Sequence, residues 1–256
     1  MIAIESLTLS YQARTIIESI STNIPEEKIT VLIGANGCGK STLLKSLAKL
    51  LLPCSGQVLL NDQNITKLSN KTLSQQLAML AQSTNMTEDI TVEQLVRYGR
   101  HPYHSLFSRW SDEDDHHLEN ALALTQMKDL RSESLLSLSG GQRQRAWIAM
   151  TLAQDTPYLL LDEPTTYLDL TYQIEILSLL RDLNRTTQKT IVMVLHDLNL
   201  ACRYADHMIA IKDGKIAAMG KPIDVVTEDN VLNIFNLPNK VIMDPFNQTP
   251  LCIPLS

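Results

Sequence analysis

Lys28-Ile29-Thr30-Val31-Leu32-Ile33-Gly34-Ala35-Asn36-Gly37-Cys38-Gly39-Lys40-Ser41 joins an apolar, β-branched run to a glycine-rich segment. The first six residues read as a buried strand. From Gly34 the segment fits G-x-x-x-x-G-K-[ST], which arises by chance in roughly one chain of this length in a hundred. Ser41 to Leu52 then places Leu43, Leu44, Leu47, Leu50 and Leu51 on one helical face, and Pro53 is expected to end the helix. Strand, glycine loop and helix in succession is the context the pattern requires. Glycines let a backbone wrap closely around phosphates and point N–H groups inward, and the helix start adds its positive dipole end. Gly34, Asn36, Gly37 and Gly39 are therefore candidate nucleotide contacts. Lys40 is expected on the β- and γ-phosphates, Ser41 on Mg²⁺, and Thr42 on a further phosphate oxygen.

Two later segments extend the reading. Tyr158-Leu159-Leu160-Leu161-Asp162-Glu163 is an apolar strand that delivers two carboxylates to a sheet edge, where α/β sheets bind ligands. Asp162 is expected to hold the Mg²⁺ shell, and Glu163 is the candidate general base for an attacking water. Leu138-Ser139-Gly140-Gly141-Gln142 lies about a hundred residues after the glycine loop. It is rarer by chance than the loop, at a few in ten thousand by order of magnitude. Ser139, Gly140 and Gly141 at a helix N-terminus can present a hydroxyl and backbone amides to a γ-phosphate.

The composition sets bounds. The 256 residues make one large domain or two small ones, and 44% hydrophobic content suffices for a globular core. A net charge of −6 argues against nucleic acid as a partner. No run of 18 apolar residues occurs, and the start Met1-Ile2-Ala3-Ile4-Glu5 does not read as a signal peptide. The cysteines Cys38, Cys54, Cys202 and Cys252 contain no CxxC pair and read as reduced thiols, with Cys38 an incidental loop residue.

The remaining pattern is α/β interrupted by helices. Ile2, Ile4, Leu7 and Leu9 suggest a half-buried strand with a slip in register. Gln57 to Leu60 and Leu77 to Ala81 read as short strands. Helical periodicity takes over in Val92 to Tyr98, in Asp112 to Leu124 and after Ser139. Ser111 reads as an N-cap, and the acidic Asp112-Glu113-Asp114-Asp115 as a solvated first turn rather than a metal site. Strands return at Thr190 to Leu195, His207 to Lys212 and Lys215 to Met219, the last two flanking the hairpin signal Asp213-Gly214. Thr171 to Leu183 and Val225 to Phe235 are read as helices.

Together these residues resemble the ATP-binding subunits of ATP-binding-cassette (ABC) transporters, and the resemblance spans nearly the whole chain. It implies an α/β fold of the P-loop NTPase, ABC-cassette type, with an N-terminal antiparallel β subdomain and a helical insert. The implied partition of the single domain 1–256 is a core of 1–87 and 154–220, a helical subdomain of 88–153, and an extension of 221–256. Leu138 to Gln142 is similar to the family signature, which faces ATP held by a second subunit. A second copy of the chain is therefore an implied partner, with Ser139, Gly140, Gly141 and Gln142 completing its ATP site. By the same resemblance Tyr11 stacks on adenine, and Gln82 touches Mg²⁺ or its water. Thr166-Tyr167-Leu168-Asp169 matches the loop whose Asp169 crosses the dimer interface, although the family usually has a small residue at the place of Tyr167. His196 matches the switch histidine on the γ-phosphate.

Arg97-Tyr98-Gly99-Arg100-His101-Pro102-Tyr103, Leu106-Phe107-Ser108-Arg109-Trp110-Ser111, His196-Asp197-Leu198-Asn199 and Arg203-Tyr204-Ala205-Asp206 are similar to importer ATPases for iron–siderophores, haem and vitamin B12. Ferric-dicitrate-like systems are the nearest likeness. The implied function is an ATPase driving iron(III)-siderophore import; haem or vitamin B12 import, export, or a soluble non-transport ATPase are the alternatives. The implied setting is peripheral, on the cytoplasmic face of the bacterial cell membrane. Two permease subunits would contact the chain around Gln82 and 88–110, with a periplasmic or lipoprotein siderophore-binding protein as an indirect partner. His101, His104, His116 and His117 lack a metal-site spacing and are not read as iron ligands.

Overall fold

The computed structural model describes residues 1–12, 14–82, 89–105 and 108–255. In chain order the elements begin with β1 (Ile2–Tyr11), β2 (Arg14–Ile24), β3 (Ile29–Ile33), α1 (Lys40–Leu47), β4 (Ser55–Leu60) and β5 (Gln63–Asn64). Next come α2 (Asn70–Ser74), β6 (Leu77–Leu80), α3 (Val92–Tyr98), α4 (Asp112–Leu124), α5 (Gly140–Ala153), β7 (Tyr158–Leu161) and α6 (Leu170–Thr187). The chain closes with β8 (Thr190–Val194), α7 (Leu198–Tyr204), β9 (His207–Lys212), β10 (Lys215–Gly220), α8 (Pro222–Val225), α9 (Glu228–Phe235), β11 (Asn239–Met243) and β12 (Pro250–Pro254). It divides into two compact units, Met1–Leu68 with Thr190–Ser256, and Ser69–Lys189. The sequence boundaries at 87/88 and 153/154 both fall inside the second unit.

In the first unit β1 lies between β2 and β4 in an antiparallel sheet. The slip in β1 takes the form of a bulge. Ser6 has φ +45°, the pairing with β2 shifts between Ile4 and Leu7, and Ile2, Ile4, Leu7 and Leu9 are all buried. One extra residue returns the apolar side chains to the core face after strict alternation would have lost them. A second sheet runs β10-β9-β3-β8, with β3 parallel to both neighbours and buried throughout. Asp213 and Gly214 turn β9 into β10 with φ +49° and +75°, the type I′ geometry.

The helix α1 stops at Leu47 rather than at Leu52. Lys49 takes a left-handed φ of +59°, its N–H bonds to Ser46 O at 3.0 Å, and Leu50 N–H bonds to Lys45 O at 2.9 Å. This is a Schellman closure built without glycine, so the sequence carried no stop signal. Leu50 and Leu52 are left exposed. The helix expected over Val225 to Phe235 is α9, which starts later, at Glu228, because Thr227 caps it by accepting from Asn230 N–H; Val225 instead ends the short α8. The β11–β12 hairpin was not legible in the sequence. It is tied to α7 through Asn199, which exchanges two hydrogen bonds with the Cys252 backbone at 2.8 and 3.1 Å.

In the second unit β6 and β7 are parallel, in register from Leu77 with Tyr158 to Leu80 with Leu161. The helix α5 packs on α3 and α4. The acidic start of α4 is only partly solvated. Asp112, Glu113 and Asp115 are exposed, but Asp114 is buried. Its Oδ1 accepts from the buried Arg100 at 2.9 Å, Oδ2 accepts from Ser111 Oγ at 2.7 Å, and His104 Nε2 lies 3.2 Å away. Burial pushes the Asp114 carboxyl up, but hydrogen bonds from Arg100 and Ser111 outweigh it and hold the group down at about 2. No helix among the described residues is long and apolar enough to cross a membrane.

Candidate nucleotide site

The sequence-predicted site residues fall in both units. Gly34 to Thr42, Tyr11 and His196 belong to the first. Gln82, Ser139 to Gln142, Asp162, Glu163 and Asp169 belong to the second.

The first unit supplies the glycine loop between a strand and a helix. The buried strand β3 ends at Ile33, and the loop opens directly from its carboxyl end into α1. Gly39 occupies the N-cap of α1, and no side chain caps that helix. By contrast Ser69, Thr91, Ser111, Ser139, Asp169, Asp197 and Thr227 each cap their helices through a side-chain oxygen. An α-helix start without a side-chain acceptor is suited to an anion. Lys40 is buried, and its Nζ donates to Gly34 O at 2.8 Å and Ala35 O at 3.0 Å. Its ammonium thus stands at the loop, held by carbonyls that a phosphate could replace. Gly37 has φ +77°, and a Cβ there would meet nothing within 4 Å. Its backbone therefore faces open space, as a ligand cradle requires.

The cleft beside this loop has a volume of about 430 Å³ and is lined by Asn36, Gly37 and Cys38 together with Arg14, Lys212 and Gly214. Tyr11, at the end of β1, is 46% exposed and is not among its lining residues. Arg14 and Lys212 were not singled out in the sequence. Only the hairpin signal at Asp213-Gly214 pointed to that edge, and it read as a turn. Burial pushes the Cys38 thiol up, with Lys40 opposing. Ser41 and Thr42 are half-buried in the first turn of α1. His196 is exposed two residues past β8, immediately before Asp197, the N-cap of α7.

The second unit supplies carboxylates and a capped helix. Because β6 and β7 pair in parallel with Leu80 opposite Leu161, Gln82 and Glu163 both lie two residues beyond the same rung. Gln82 Nε2 donates to Glu163 Oε2 at 2.6 Å. Asp162 is buried, and its N–H bonds to Leu80 O at 2.9 Å. Glu163 has φ +55°, a conformation that non-glycine residues rarely adopt. Thr166 Oγ1 also donates to Glu163 Oε2, at 2.9 Å.

Ser139 and Gln142 form a reciprocal capping box at the start of α5, with bonds of 3.3 and 3.0 Å. The two glycines between them differ. A Cβ on Gly141 would meet Tyr172 Cδ1 at 2.4 Å, whereas one on Gly140 would meet only Leu168 Cδ2 at 3.6 Å. Gly141 is thus required by the packing of α6, and Gly140 lies at the exposed helix start. Asp169 caps α6 by accepting from Tyr172 N–H at 3.1 Å, and Tyr167, at φ +65°, is 95% exposed.

Residues 88, 106 and 107 of the segment read as a permease contact lie outside the described residues. Within the remainder Arg97 stands over the Trp110 ring at 4.5 Å, and His104 stacks on the same ring at 5.6 Å. Among the described residues no group of three or more His, Cys, Asp or Glu side chains is arranged to hold a metal ion by itself.

A family model described as ABC transporter matches residues 17–166. The chain is 54% identical over 253 residues to a protein of Bacillus subtilis (strain 168) named as a probable siderophore transport system ATP-binding protein, YusV, covering 99% of this chain and 92% of that one. It is 47% identical over 251 residues to the ferric enterobactin transport ATP-binding protein FepC of Escherichia coli (strain K12), covering 98% and 93%. Among solved structures, one described as of metal-chelate type, an ABC transporter in an inward-facing conformation, matches with a TM-score of 0.86 at 27% identity, over 100% of this chain and 97% of that one.

Proposed function

Since this chain belongs to the ABC transporter family as an ATP-binding subunit, we propose that it hydrolyses ATP to drive import of an iron(III)–siderophore complex through a separate membrane permease. The ATP part rests on one observation above others: α1 begins without a side-chain cap beside a buried Lys40 whose ammonium already stands at the loop. The cargo is supported by the named relatives, which match over nearly the entire chain.

In this reading Gly34, Asn36, Gly37 and Gly39 wrap the phosphates, and Lys40 and Thr42 bind their oxygens. Ser41, Asp162 and Gln82 offer hard oxygen donors, the kind Mg²⁺ takes. When bound, Mg²⁺ neutralises charge on the phosphate oxygens. Glu163 orients the attacking water and accepts its proton, His196 donates to the γ-phosphate, and Tyr11 stacks on adenine. A second copy of the chain brings Ser139, Gly140, Gly141 and Gln142 to the γ-phosphate, and the loop ending at Asp169 crosses between the copies. Two permease subunits receive the motion, and a siderophore-binding protein delivers cargo from outside. The chain works at the cytoplasmic face of the cell membrane.

The test is reconstitution with the co-expressed permease in liposomes. ATPase rate is followed while binding protein is added loaded with ferric siderophore, haem or cobalamin. Stimulation of several-fold by the ferric siderophore alone is expected. Equal response to haem or cobalamin, or none to the ferric siderophore, would overturn the cargo.

A further inference from the structure

Glu163 is followed by a turn that folds the chain back on its own carboxylate. Thr166 N–H bonds to Glu163 O at 3.2 Å, closing a four-residue turn with Pro164 in its second position. Proline holds its φ near −65°, so the turn is stiff where it leaves the strained Glu163. The turn places Thr166 Oγ1 2.9 Å from Glu163 Oε2. A carboxylate oxygen can only accept here, so the threonine hydroxyl is the donor. The far side of the loop is anchored as well: Gln173 Nε2 donates to Leu168 O at 2.8 Å, and Asp169 caps α6.

We propose that Thr166 is a positioning residue for hydrolysis, its hydroxyl fixing the Glu163 carboxylate for the water it activates. This rests on Glu163 being the general base. A glutamate has three side-chain torsions, and a base must stand within hydrogen-bond reach of its proton in one of their combinations. Gln82 reaches Oε2 from just beyond β6 and Thr166 reaches it from the turn after Glu163, so donors from two separate segments define where that oxygen lies. Both bonds are charge-assisted and correspondingly strong. The β-branch of threonine restricts χ1, so its hydroxyl is presented in a defined direction. The neighbouring Tyr167 side chain is almost fully exposed. The loop thus turns one residue onto the carboxylate and the next to solvent.

The experiment compares Thr166→Val, Thr166→Ala, Thr166→Ser and Glu163→Gln in the full chain, measuring kcat, KM for ATP and binding of a fluorescent ATP analogue. Losing this hydrogen bond to a charged group should lower kcat about tenfold or more in Thr166→Val, with KM within about twofold. Thr166→Ser should keep most of the rate. Thr166→Ala serves if valine prevents folding, with analogue binding as the check. Wild-type kcat in both Thr166→Val and Thr166→Ala beside an inactive Glu163→Gln would overturn the proposal. So would a parallel loss in Thr166→Ser. Full turnover in Glu163→Gln would instead remove the base assignment on which the proposal stands.

Discussion

Gln82 Nε2 donates to Glu163 Oε2 at 2.6 Å, joining residues 81 apart in sequence at the carboxyl ends of two parallel strands. Each lies two residues past the last paired rung, so the bond follows from strand register. Gln82→Ala removes this donor. It is expected to lower kcat by about tenfold or more, the scale of a hydrogen bond to a charged group, while ATP binding is kept. Steady-state kinetics with an ATP-analogue titration checks this; unchanged kcat would show the bond to be idle in turnover.

The signature glycines should separate by experiment. Gly141→Ala puts a methyl 2.4 Å from the Tyr172 ring and is expected to destabilise by about 1–3 kcal/mol. Shortening the neighbour in Gly141→Ala/Tyr172→Leu should recover part of it. Gly140→Ala meets only ordinary contact and should keep the fold, with its effect confined to hydrolysis. Thermal melts of the three variants decide; equal Tm losses at 140 and 141 would contradict the packing account.

Asp114 and Arg100 form a buried pair, with side chains 6% and 3% exposed. Asp114→Ala leaves the guanidinium buried without its carboxylate, keeping only its bond to Ala153 O and the Tyr103 ring, at a cost of about 3 kcal/mol. The carboxyl titrates lower in the folded chain than in the unfolded one, where its value is about 3.9. Its stabilisation is therefore complete above about pH 4 and is lost as pH falls towards 2. Urea midpoints of wild type and Asp114→Asn should converge across that window, and a constant gap would refute the assignment.

Thiol chemistry should report on burial. Cys54 is exposed, whereas Cys38, Cys202 and Cys252 are buried. Burial pushes the thiols of Cys38 and Cys252 up, and Cys202 up to about 12. Maleimide labelling near neutral pH should show one fast thiol, abolished in Cys54→Ser. Fast labelling of Cys38 in native protein would contradict this.

What was legible in the residues was local. The run from Lys28 to Ser41 specifies strand, loop and helix start through β-branching and glycine. Ser111 announces its cap, and Asp213-Gly214 its hairpin. The Schellman stop at Lys49 was not legible, because a lysine in the left-handed region leaves no compositional mark.

The sequence by itself determined the glycine loop between strand and helix, the carboxylates after an apolar strand, the helix start at Ser139 and the family they imply. Backbone preference and periodicity act over a few residues and survive without knowledge of neighbours. Only the tertiary structure decided that Glu163 Oε2 accepts from both Gln82 and Thr166, that Gly141 yields to Tyr172, and that Asp114 leaves solvent for Arg100. Those relationships depend on strand register and helix approach, which set distances between residues far apart along the chain.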